Sequence, residues 1–167
     1  MSRAERRRME RETKGGGGVP PGPVEEVVRA ERFELVDKTG QLRGGMITSE
    51  DGTASIALSD RNGRPMIIAG VEKDGRNATF SISDDSGRER IVLKMSEDGI
   101  PLAILRGNDG KNRLRVSLSG TGSPQILLGD KEEKERLILV VDEEDKPALI
   151  LLDKDGKTRG GLTLPSA

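Results

Sequence analysis

The side chains with chemical capacity in this chain are carboxylates and guanidinium groups, and both recur at fixed intervals. Asp37, Asp60, Asp84 and Asp153 each stand three residues before a glycine, and Asp51, Asp74 and Asp98 stand directly before one. A ring of such carboxylates suggests calcium, which needs several oxygens converging on one ion. The best local run, Asp153-Lys154-Asp155-Gly156, lacks the spacing and the closing Glu of a calcium loop. Arg43, Arg90, Arg113, Arg136 and Arg159 form a second series, each three residues after a turn position, with Met66 as the exception. Arginines in that pattern bind phosphate or carboxylate anions, or pair with nearby acids on the same wall. Adjacent carboxylates such as Glu97 and Asp98 offer acid–base hydrolysis as a third chemistry. The favoured reading is structural: an Asp that opens a turn bonds the backbone N–H two residues on, and the arginines pair with these acids.

Composition narrows the remaining classes. Cysteine and histidine are both absent, which removes disulfides, thiolate and imidazole metal sites, and the commonest nucleophile and general base. The chain is therefore expected to be no enzyme and to need no cofactor. Lys plus Arg is 28 against 29 Asp plus Glu, and Phe33 and Phe80 are the only aromatic residues. Balanced charge and so few stacking rings argue against nucleic acid as a partner.

Residues 1–23 read as a disordered basic arm and linker. The first fourteen hold six basic and three acidic side chains, with only Met1, Ala4 and Met9 apolar, so a helix there has no stripe to bury. Gly15 to Gly18 and Val19-Pro20-Pro21-Gly22-Pro23 then separate the arm from a domain over 24–167. The start carries no apolar run of the kind a secretory signal has, so a cytoplasmic location is expected, with the arm offering weak attraction to an anionic membrane surface.

The elements that position these side chains follow from a repeat. Turn-type residues fall at Gly40, Gly52, Gly63, Gly75, Gly87, Gly99, Gly110, Gly122, Glu133, Asp145 and Gly156, spaced eleven or twelve residues apart. Two turn classes alternate, Asp-x-x-Gly and acidic-Asp-Gly, so the unit is a β-hairpin of about 23 residues, present six times. Between turns the apolar residues alternate, as in Ile56/Leu58, Ile91/Leu93/Met95 and Leu137/Leu139/Val141. A solenoid would stack Arg on Arg in adjacent strands, whereas a meander sets them two strands apart. The expected fold is therefore all-β: a 12-strand antiparallel meander whose first and last strands pair to close a shallow barrel.

Such a ring has a radius of roughly 12 Å, more than two layers of Leu or Ile fill. The expected lumen row is Leu35, Leu58, Ile82, Leu105, Leu128 and Leu151. The opposite face is also apolar in the last repeats, through Ile104, Leu127, Ile138, Val140, Ile150 and Leu152, which gives an expected outer contact strip.

Asp-x-x-Gly-x-x-Arg flanked by apolar alternation, with its acidic-Asp-Gly counter-turn, resembles the hairpin-repeat proteins called β-flowers over residues 27–164. The resemblance implies a shallow symmetric barrel with an apolar channel, similar to the barrels of tubby-like and scramblase proteins, and hence a lipid connection by fold analogy alone. It carries over no functional residue. The expected function is a non-enzymatic binding or scaffold module that takes lipid or another apolar ligand in the lumen or on the outer strip. The alternative is a structural protein that self-assembles into homo-oligomers.

Overall fold

The structure, a computed structural model, describes residues 29–163. The proposed basic arm and linker, residues 1–23, lie outside the described residues. Twelve strands follow one another: β1 (Arg32–Val36), β2 (Leu42–Thr48), β3 (Ala54–Ser59), β4 (Pro65–Val71), β5 (Ala78–Ser83), β6 (Glu89–Met95), β7 (Pro101–Arg106), β8 (Asn112–Leu118), β9 (Pro124–Gly129), β10 (Glu135–Val141), β11 (Pro147–Leu152) and β12 (Thr158–Thr163). They form one sheet in chain order, each strand antiparallel to its neighbours. The hairpin meander is thus the fold.

All eleven turn positions picked out by spacing have positive φ, nine as glycine and two as Glu133 (66°) and Asp145 (60°). In the Asp60 turn, Gly63 N donates to Asp60 O at 3.2 Å and Asp60 N donates to Arg64 O at 2.9 Å. That is a four-residue turn ending in a left-handed residue, the conformation in which glycine meets no Cβ penalty. The counter-turns open one residue before the acidic-Asp-Gly motif, with this geometry at Ser49, Ser96, Ser119 and Asp142, and with one residue more at Glu72, whose N–H donates to Asn77 O.

After each Asp-type turn the register slips by one residue. Leu35 faces Gly44 while Val36 faces Leu42, which leaves Arg43 as the extra residue of a β-bulge. The same slip isolates Met66, Arg90, Arg113, Arg136 and Arg159. The arginine series is therefore a bulge series, with its side chains re-aimed toward the turns.

Two expectations are corrected. The ring does not close: among the described residues β1 pairs with β2 alone and β12 with β11 alone. An even strand number makes the two ends compatible in direction, but closure also requires matching tilt and stagger, which strand count does not impose. The expected lumen face is also the more open one. Leu35, Leu58, Leu105, Leu128 and Leu151 are all exposed and Ile82 is half-buried, whereas Ile104 and Leu127, expected on an outer strip, are 6% exposed. Ile138, Val140, Ile150 and Leu152 are half-buried. Alternation reveals two faces without saying which is covered. On the second face Ile104 stands between Val92 and Arg115 across the sheet and beside Arg106 along its strand, and arginine stems shield apolar neighbours.

Candidate functional site

Three features are repeated around the sheet: a carboxylate clamp, a ladder between turns, and an open apolar face. In the clamp, Asp60 Oδ1 accepts the backbone N–H groups of Asn62 (2.7 Å) and Arg64 (3.0 Å), and the same two-bond pattern recurs at Asp84, Asp130 and Asp153. The second carboxylate oxygen takes the bulge arginine: Arg90 to Asp84, Arg136 to Asp130, Arg159 to Asp153 and, more loosely, Arg43 to Asp37. Where Met66 occupies the bulge, Arg64 replaces the missing cation, with Nε 2.9 Å and Nη2 2.8 Å from Asp60 Oδ2. Where Gly107 opens the turn, Arg113 pairs with Asp109 instead, at 2.6 Å. The turn acids and the arginines neutralise one another. Among the described residues no three Asp or Glu side chains converge in a way that would hold a metal ion.

The clamp lowers the acids' pKa values. Backbone N–H bonds from Arg64, Arg88, Lys111 and Lys157 are the main cause at Asp60, Asp84, Asp109 and Asp153, and the Thr39 hydroxyl at Asp37. At Asp130 partial desolvation pushes upward and is outweighed by bonds from Lys134 and Arg136. Carboxyls depressed in the folded state stabilise it above their unfolded value of about 3.9, and that contribution is lost as pH falls through the folded values. Stability is accordingly expected to decline progressively below about pH 4. In urea titrations at a series of pH values, Asp84→Asn combined with Asp153→Asn should lower the midpoint at pH 7 and flatten this acid limb.

The ladder was not read from the sequence. The residue directly after each of the first five Asp-type turns sends its side chain to a backbone carbonyl of the next such turn. Arg88 Nη1 donates to Asn108 O at 2.5 Å, Lys111 Nζ to Lys131 O at 3.0 Å and Lys134 Nζ to Lys154 O at 3.3 Å. Gln41 reaches Arg61 O and Arg64 reaches Asp85 O in the same way. The available signal was a long donor side chain following the turn in every repeat, including Lys157 in the last.

The third feature is the apolar face. One transverse row runs through all twelve strands from Phe33 by way of Met46, Phe80, Val116 and Leu139 to Leu162, and every member is apolar. A second row holds the six expected lumen residues, Leu35, Leu58, Ile82, Leu105, Leu128 and Leu151. The structure brings these six onto one face, and among the described residues no other element covers it. The opposite face carries the tightest packing, Ser81, Val92, Ile104 and Leu127, on a single row.

No protein-family model matches the chain, and no curated protein matches it. What it shares with the hairpin-repeat proteins it resembles is the antiparallel meander itself.

Proposed function

We propose that this chain is a non-enzymatic binding or scaffold module that works through its apolar sheet face. The observation that carries the reading is the pair of continuous apolar rows, whose members include Leu93 at 48%, Leu105 at 43% and Leu128 at 37% exposure. A contiguous exposed apolar face of this kind is unusual on a soluble monomer, and such patches mark contact sites. Its charged clamps are internally paired and sit at the turns, so the face offers dispersion and desolvation rather than ionic recognition. An extended apolar partner, such as an acyl chain layer, suits that chemistry.

Leu105 and Leu128 lie on the second row and are already open to solvent, so placing Lys at both changes the face while costing the sheet little. Co-sedimentation with zwitterionic phosphatidylcholine vesicles is the test. The wild type is expected to sediment with the vesicles, and Leu105→Lys combined with Leu128→Lys to lose most of that binding at unchanged far-ultraviolet circular dichroism. Equal behaviour of the two proteins would remove the acyl reading.

A further inference from the structure

The last repeat is built for a neighbour that the described residues do not supply. In β2 the pair Gly44-Gly45 is needed on both sides: a Cβ on Gly45 would lie 2.5 Å from Phe33 O of β1, and one on Gly44 would lie 2.5 Å from Ala57 O of β3. β12 repeats this as Gly160-Gly161, in the same place directly after the bulge. A Cβ on Gly161 would meet Leu149 O at 2.5 Å, as the pattern requires. A Cβ on Gly160 would meet nothing closer than Leu151 Cδ1 at 3.9 Å, because among the described residues no strand lies where β3 lies against β2. The ladder between turns points the same way. Five of its donors have a carbonyl in the next turn, and among the described residues Lys157, the sixth, has none to reach.

We infer that β12 receives β1 of a second copy, so that copies join head to tail in one continuous antiparallel sheet. The register copies β2 against β3, with Gly160 opposite Leu35, Gly161 opposite Glu34 and Leu162 opposite Phe33. Both apolar rows then continue across the junction, and Leu162 and Leu35, at 60% and 56% the most exposed large apolar side chains, gain neighbours. Lys157 gains the carbonyl of Lys38 in the incoming copy's first turn. The occupant is a second copy because, among the described residues, β1 pairs with β2 alone, and its other edge matches the strand that β12 lacks in hydrogen-bonding direction and row chemistry. Head-to-tail contacts of this kind produce rings or filaments. The inference concerns the sheet edges and is independent of what covers the apolar face.

The chain has no native cysteine, so cysteine pairing reads the junction directly. The inferred register places residues 33 and 162 as a non-hydrogen-bonded pair, near enough for a disulfide. Mild oxidation of a mixture of Phe33→Cys and Leu162→Cys chains should give a mixed covalent dimer at several times the yield of either alone. The double variant should give a ladder of dimers and higher species, and adding Gly160→Val should abolish it. A double variant whose disulfide forms only within single chains would overturn the inference. So would the absence of a mixed dimer.

Discussion

Gly44→Val is expected to lower the urea midpoint sharply, by an amount equivalent to roughly 3 kcal/mol, the upper end of what overpacking costs. The new Cβ would sit 2.5 Å from Ala57 O and 2.9 Å from Leu58 Cδ2, and the first of these is backbone, which cannot move without disturbing the β2–β3 pairing. Gly161→Val should behave similarly through Leu149 O at 2.5 Å. Gly160→Val, one residue away in the same Gly-Gly pair, meets only the Leu151 side chain at an ordinary contact distance of 3.9 Å and should leave the midpoint of the dilute chain nearly unchanged. Chemical denaturation of the three variants at low protein concentration checks the contrast. Equal shifts at Gly44 and Gly160 would mean that the free edge of β12 is not free.

The second large effect separates two adjacent residues. Ile104→Ala removes a side chain that is 6% exposed in the most tightly packed row, and should cost about 2–4 kcal/mol through lost burial and the cavity left behind. Leu105→Ala removes one that is 43% exposed, and should cost about 1 kcal/mol. Leu127→Ala against Leu128→Ala repeats the comparison two strands away, at 6% and 37% exposure. The simple reading of the sequence, in which the strictly alternating leucines form the interior, demands the opposite order. Denaturation midpoints of the four variants decide it.

The turns were legible because their chemistry is local. Glycine at a left-handed position and Asp at the head of a turn leave a mark within four residues, and all eleven positions carry positive φ, even where Glu133 and Asp145 replace glycine. Strand order was legible through the Arg series, whose like charges rule out stacking on neighbouring strands. That those arginines occupy bulges was not, since a bulge is a property of two paired strands and shows only in the slip from Leu35–Gly44 to Val36–Leu42. The facing of the sheet was hidden for a similar reason. Leu105 and Ile104 are equally apolar, and what distinguishes them is the company of Val92, Arg106 and Arg115 on one side and an uncovered row on the other. Ring closure is the least local property of all, and neither direction nor strand count determines it.

The claim on which the functional reading depends is that the alternating leucine face is open. Hydroxyl-radical footprinting read by mass spectrometry measures this on the unmodified chain, residue by residue, under conditions that keep it dilute. Leu105 and Leu128 are expected to be oxidised several times faster than Ile104 and Leu127. Faster oxidation of Ile104 and Leu127 than of their leucine neighbours would contradict that claim, and would return the leucine row to a closed interior.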